Sequence, residues 1–247
     1  MGACFVYKWL QFNKPPAFAY VCMLSNLLLM YTLSEENYLK AIYRLASHGK
    51  DFKITPTAIS ETLNNNPASV VDMIRKLTEK QLIEYDKKKG VKLTSQGLKD
   101  ATLIVRRHRL WEVFLLEKLG YHWDEIHDIA EELEHINDAT LADRLDKFLG
   151  FPEYDPHGDP IPKADGKVPK PFSVTLSDLK PGTLSRVAAV RDTSSPFLQY
   201  LQKLNIGIGT RIQVVEKISY DNSLVIKIDD REDTTVSQKF GENILVD

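Results

Sequence analysis

The chain has 247 residues, 43% of them hydrophobic and 27% charged, a globular balance that allows one large domain or two modest ones and excludes disordered, collagen-like and coiled-coil classes. Both cysteines, Cys4 and Cys22, lie near the start, so the rest of the chain has no disulfide scaffold and no CxxC zinc site. The net charge of −2 hides an asymmetry: residues 75–109 carry eleven Lys/Arg against four Asp/Glu, net +7, and residues 110–160 carry three against fourteen, net −11.

Residues 1–31 form an N-terminal extension unlike the rest of the chain. Phe18–Tyr31 is an apolar run of fourteen residues, shorter than the ~20 a bilayer span needs. Met30 is the expected true start; an added packing helix or a targeting role are the alternatives, and function is read from Thr32 onward. Ser34, with Glu36 and Asn37, opens a helix whose apolar positions are Tyr38, Leu39, Ile42, Tyr43 and Leu45. Thr55 caps a short helix with Pro56 at its first position. Asn64, Asn65 and Asn66 make a turn, and Pro67 begins a third helix to about Lys80 with Val70, Val71, Ile74 and Leu77 inward. Strands Leu82–Asp86 and Val91–Thr94 flank Lys87, Lys88, Lys89 and Gly90. This order over residues 32–96 predicts a winged helix-turn-helix.

Thr94 and Ser95 cap a long helix to about Lys118, and Trp123–Asn137 and Ala139–Leu149 are two more, giving a helical domain over 97–151. Residues 152–172 hold six of the twelve prolines and read as a linker or a wrapped extended segment. From Ser173 the pattern alternates. Strands are expected at Val187–Val190, Arg211–Val215, Leu224–Ile228, Thr234–Val236 and Ile244–Val246, with a helix at Pro196–Leu204. Residues 173–247 are therefore expected to form a small closed all-β barrel behind a mainly α N-terminal part.

The third helix is the candidate DNA-reading element. Asn66, Ser69 and Asp72 point away from its apolar side and suit adenine, either donor or acceptor, and cytosine respectively. Pro67 and Ala68 complete its N-terminus. Arg75, Lys76 and Lys80 would neutralise phosphates, and Lys87, Lys88 and Lys89 would reach the backbone from the wing. In the acidic block, His127, Glu131, Glu134 and His135 stand at helical spacing, and His108 and Glu112 are one turn apart on the preceding helix. Imidazole and carboxylate ligands without thiol or thioether favour Mn(II) or Fe(II) over Cu(I) or a structural zinc.

Four segments carry a resemblance. Glu36-Asn37-Tyr38-Leu39, Arg107-His108-Arg109-Leu110-Trp111-Glu112, His127-Asp128 with Glu131, Glu134 and His135, and Pro156-His157-Gly158-Asp159-Pro160-Ile161-Pro162 occur in order. Together they resemble the DtxR/MntR family of metal-dependent bacterial repressors, the diphtheria toxin repressor and manganese transport regulator type, over residues 32–247. The resemblance implies a cytoplasmic homodimer that binds Mn(II) or Fe(II) and closes its winged helices onto a palindromic operator of double-stranded DNA. It implies repression of metal-uptake genes, with no membrane partner, no small-molecule substrate and no enzymatic role. One metal site would join Asn37 to Glu131, Glu134 and His135; another would use His108, Glu112 and His127, with Asp192 near a carboxylate from the barrel. Arg109 matches an anion contact. The C-terminal part resembles a FeoA-like domain, a Src-homology-3-like barrel. Two positions depart from the family pattern: Asn37 replaces a Met or Asp, and Lys40 replaces the Glu of manganese-type members. The residues by themselves also admit a metal-dependent hydrolase, although no nucleophile motif is present, or an iron-transport accessory module.

Overall fold

The structure, a computed structural model, describes residues 31–47, 52–138, 140–229 and 231–247. The expectations for residues 1–30 lie outside them. Helix α1 (Leu33–Ala46) starts just ahead of Ser34, because Thr32 and Glu35 form a reciprocal capping box. Helix α2 (Pro56–Leu63) begins on Thr55, whose hydroxyl accepts from the Ala58 N–H, and ends at Asn64 in the left-handed region. Helix α3 (Pro67–Glu79) buries Val70, Ile74 and Leu77. Val71, expected inside, faces outward at 57% exposure. Strands β1 (Ile83–Asp86) and β2 (Gly90–Leu93) pair antiparallel as the wing. Leu39, Ile42, Ile59, Leu77 and Leu82 close the core of this winged helix-turn-helix.

Helix α4 (Ser95–Leu119) is capped by Thr94 and runs on past the winged unit. A Cβ at Gly97 would lie 1.9 Å from the Leu82 carbonyl oxygen, so only glycine lets α4 start this close to β1. Helices α5 (Ile126–Leu133) and α6 (Leu141–Phe148) pack against α4. Arg106 ties α6 to α4 through Asp146 at 2.8 Å and Asp143 at 2.9 Å. The second helix of this domain is shorter than the expected Trp123–Asn137. No side chain caps its start, and the chain turns at Glu134 and His135.

The proline-rich stretch is a wrapped segment. Asp155 N–H donates to the Asp159 carbonyl at 2.9 Å and Ile161 N–H to Glu153 at 2.8 Å, closing a compact loop. Val190 N–H donates to the His157 carbonyl at 2.9 Å, which straps that loop onto the C-terminal sheet. Gly158, at φ +85, approaches so closely that a Cβ would meet Ala188 O at 2.2 Å. The sheet runs β3 (Val174–Thr175), β8 (Ile244–Val246), β4 (Leu184–Val190), β5 (Arg211–Lys217), β6 (Leu224–Ile228) and β7 (Thr234–Val236), all antiparallel. Helices α7 (Ser195–Lys203) and α8 (Gln238–Asn243) accompany it. Bulges in β4 and β5 bend it. The closed barrel expected from the strand pattern is corrected to an open sheet. Its edge strands β3 and β7, of two and three residues, do not pair with each other among the described residues.

Candidate metal centre and nucleic-acid interface

The winged unit presents Asn66, Pro67, Ala68, Ser69, Asp72, Arg75, Lys76 and the wing residues Lys87, Lys88 and Lys89 at the surface. The Asp86 carboxylate accepts from the Lys88 and Lys89 N–H groups, which folds the wing tip and holds its pKa below the usual value. Asn66 is the N-cap of α3: its Oδ1 accepts from Ala68 N–H at 2.8 Å. A two-point contact to adenine would require giving up that cap, so only its amide N–H groups remain on offer. Asp72 is paired with Arg75 at 3.2 Å. Lys80 does not join the expected phosphate set. Its Nζ is 2.6 Å from Glu35 Oε1 and lies over the Tyr31 ring, which turns it back onto α1.

The titratable side chains of the helical domain divide into two sets. Glu112, buried on α4, is the centre of the first. His108 Nε2 is 3.1 Å from its Oε1, His127 Nδ1 3.3 Å and His157 Nδ1 3.7 Å. Burial opposes ionisation of Glu112, but these three imidazoles, His108 foremost, hold its pKa well below the usual range. Burial disfavours charge on His108 too; the Glu112 carboxylate outweighs it, with Glu134 adding, and pushes the imidazole up to about 9. His157 moves upward by the same balance. Asp155, buried beside Glu112 and Asp159, is raised to about 7, burial being the main cause. Ligand atoms of His108, Glu112 and His127, and separately of Glu112, Asp155 and His157, fall within 4.8 Å of one another. They edge a polar cavity of ≈ 570 Å³. His157 Nε2 is buried without a hydrogen-bond partner. A buried imidazole with Nδ1 3.7 Å from buried Glu112 and Nε2 unpartnered, in a hard donor set, fits a divalent cation.

The second set holds a third such group: ligand atoms of His108, Glu131 and Glu134 also lie within 4.8 Å of one another. Lys40 enters from α1, and its Nζ donates to both oxygens of Glu134, at 2.7 and 2.8 Å, and to Glu131. Glu134 is 0% exposed. Burial opposes charge on Glu131, while Lys40 is the chief group drawing its pKa down. His135, one position past the turn, aims Nδ1 at Glu36 Oε2, 2.5 Å away, and Glu36 is held in turn by Arg107 at 2.8 Å. His108 Nδ1 lies 2.7 Å from Glu134 Oε2 but outside hydrogen-bonding alignment, and Asn37 Oδ1 is buried without a partner. Of the expected grouping of Asn37, Glu131, Glu134 and His135, the two glutamates come together, with His108 rather than His135 as the imidazole beside them; Lys40 reaches the same carboxylates, and His135 turns to Glu36. Asp192 accepts from Ser194 N–H at the start of α7 and belongs to none of the three ligand clusters. Arg109 is also corrected. Its guanidinium is spent on Asp155, Asp159 and the Pro160 carbonyl, where it holds the wrapped loop rather than an anion.

Sequence reasoning passed over His157 and Asp155 as ligands. The available signal was the sixth histidine, set between Pro156 and Gly158 and flanked by two acids; its partner Glu112 is 45 positions away, out of reach of any local period.

A winged helix joined to a helical domain with an imidazole–carboxylate cluster, followed by a small sheet, defines a metal-responsive DNA-binding regulator. Residues 30–91 match the family described as "Iron dependent repressor, N-terminal DNA binding domain" and residues 94–163 its "metal binding and dimerisation domain". Residues 174–247 match the FeoA domain. The chain is 35% identical over 122 residues to the transcriptional regulator MntR of Oceanobacillus iheyensis, covering 49% of this chain and 81% of that one. It is 33% identical over 132 residues to the diphtheria toxin repressor of Corynebacterium jeikeium, where the match spans about half of each chain, 53%. Among solved structures it resembles a manganese-dependent transcriptional repressor in complex with manganese, with TM-score 0.77 and 36% identity, over 86% of this chain and 98% of that one. The chain belongs to the iron- and manganese-dependent repressor family, whose members are metal-dependent transcription regulators and not enzymes. No helix among the described residues is long and apolar enough to cross a membrane.

Proposed function

We infer that this protein is a repressor whose homodimer closes on a palindromic operator when a divalent ion, Mn(II) first and Fe(II) next, enters the Glu112 cluster. The domain division is 32–96 for DNA reading, 97–151 for metal and dimer contacts, 152–172 for the wrapped strap and 173–247 for a FeoA-like, Src-homology-3-like module. The observation that carries the reading is buried Glu112 facing His108, His127 and His157. Bound there, the ion supplies positive charge against Glu112 and Asp155. The protein's own residues do the positioning. Glu112 and His108 come from α4, His127 from α5, and His157 from the strap that hydrogen-bonds β4. Arg109 fixes the strap by its two aspartates. The cluster thus links three parts of the chain, and the arrangement that suits it is favoured over others by its differential affinity for the ion. The chain's location is taken to be cytoplasmic, as for a regulator of genes.

The test is operator binding by fluorescence anisotropy on a duplex selected in vitro, with and without Mn(II). The native protein should gain affinity with metal. Glu112→Gln should bind DNA equally with and without it. A full metal response in Glu112→Gln would move the sensor away from this cluster.

A further inference from the structure

The loop that joins α4 to α5 is closed on itself. His122 N–H donates to Glu125 Oε2 at 2.9 Å, and Glu125 N–H donates to the His122 carbonyl at 3.0 Å. Inside this turn, Trp123 packs against the Leu115, Ile126 and Ala130 cluster of the helical domain and also against the core of the C-terminal sheet. No other side chain of the described residues belongs to both clusters. The next residue, Asp124, accepts from Gln199 of α7 at 2.9 Å. The Trp123 ring stacks on the His157 ring, 5.7 Å away and 13° from parallel. Its Nε1 is buried with no hydrogen-bond partner, so packing and ring contact set the place of the indole. His157 is held through its backbone: its N–H donates to Asp155 Oδ1 and its carbonyl accepts from Val190 N–H. Those bonds fix where the side chain starts but not the plane of the ring, whose last torsion is soft. A metal-binding imidazole is ordinarily oriented by a hydrogen bond at its other nitrogen. Here Nε2 has none, and the flat face of Trp123 takes that place.

We propose that Trp123 is a positioning residue for the Glu112 metal site: its indole face sets the plane of the His157 ring, and the same indole, lodged against the C-terminal core, couples binding of the ion to seating of the C-terminal domain. The inference deepens the reading above and rests on Glu112 being the centre that the ion enters. The coupling runs both ways, as linkage requires. Whatever loosens the C-terminal seat frees the His157 ring, and an ion that draws His157 toward Glu112 holds the indole against the C-terminal core. Two hydrogen bonds mark that seat: Val190 of β4 to the His157 carbonyl, and Gln199 of α7 to Asp124.

The test uses the full chain and Mn(II) alone, with no DNA. Calorimetric titration identifies the binding phase that Glu112→Gln removes, and hydrogen exchange in α7 and β4 follows the seat. In the native chain Mn(II) should slow exchange in both elements. Trp123→Leu keeps an apolar side chain but has no ring face. It should weaken the Glu112-dependent phase about tenfold and leave exchange in α7 and β4 unresponsive to Mn(II). Trp123→Phe, which restores a ring, should recover most of the affinity and the exchange response. A lower melting temperature in Trp123→Leu with native Mn(II) affinity and native exchange response would mean that the indole only fills space, and it overturns the proposal. Equal losses in the Phe and Leu variants overturn it too. If Trp123→Leu does not fold, His157→Ala decides: Mn(II) should no longer protect α7, and native-like protection would overturn the coupling. If Glu112→Gln removes no phase, the reading of the Glu112 cluster fails and the proposal with it. Loss of that phase beside an unaffected Trp123→Leu overturns the positioning role alone.

Discussion

Two arginines next to one another in sequence have opposite tasks. Arg106 is 3% exposed and closes onto Asp146, itself buried, and onto the rim carboxylate Asp143. Removing one member of a buried pair strands the other charge at about 3–5 kcal/mol, whereas a rim pair contributes under about 1 kcal/mol. Asp146→Ala should therefore lower unfolding free energy by about 3 kcal/mol in urea, and Asp143→Ala by less than about 1 kcal/mol. Equal losses would mean that both carboxylates share the guanidinium alike. Arg107, by contrast, serves α1 through Glu36. Gly158 raises the same question of what a single atom does. A Cβ there would run into the backbone of β4, and the residue sits at φ +85. Gly158→Ala should shift the strap and carry His157 away from Glu112, weakening Mn(II) binding more than it lowers melting temperature. Isothermal titration and a thermal scan on the same sample separate the two. An unchanged metal affinity would show that His157 is not a ligand.

At the scale of elements, the proposed function gives base reading to α3 and phosphate holding to the wing. Lys87, Lys88 and Lys89 are exposed on a tip folded by Asp86, with no carboxylate partner among the ion pairs of the described residues. Replacing all three by Ala should weaken binding to every duplex and reduce the salt slope by about 0.9 for each phosphate no longer neutralised. Ser69→Ala should instead alter base preference and leave the slope unchanged. A triple variant with the native slope would place the wing away from the backbone. The helices of this unit were legible in sequence because their signals are local: Thr55 with Pro56, Asn66 with Pro67, and Thr94 each cap the helix they precede. The end of α5 was not legible. The helical period continues through Glu134 and His135, but the chain turns there, and the partners of both side chains, Lys40 and Glu36, lie on α1 about a hundred positions upstream. Lys40 could be seen as an oddity in sequence but its contacts could not, since no spacing rule connects it to Glu131 and Glu134. Likewise β4 begins at Leu184, earlier than the apolar run from Val187, because its first residues pair with β5 rather than fill the core.

For the whole molecule, the acidic block is balanced internally rather than presented as one cation-binding face: Glu112 by imidazoles, Glu131 and Glu134 by Lys40, Asp155 by Arg109, Asp146 by Arg106. That balance also joins the parts. Trp123 packs against the apolar core of the C-terminal sheet and stacks on His157 of the strap at 5.7 Å, and Gln199 on α7 donates to Asp124 at 2.9 Å, so the C-terminal domain is seated on the helical one. What stays uncovered is an aromatic patch on the far side of α4 and α6. Trp111 and Phe114 meet edge to face at 5.7 Å, Phe114 lies 6.1 Å from Phe148, and Phe148 is 65% exposed. Large apolar side chains left together at a surface mark a protein contact. A winged helix reads one half-site, so a palindromic operator needs a two-fold pair of them. Phe148→Glu should therefore convert the dimer to monomer at micromolar concentration by light scattering. Its melting temperature as a monomer should fall only by the loss of association, because the side chain is outside the core of the single chain. Operator affinity should drop steeply while Mn(II) binding at Glu112 persists, since none of the ligands lies on that face. A variant that stays dimeric with native DNA affinity would place the two-fold contact elsewhere on the helical domain.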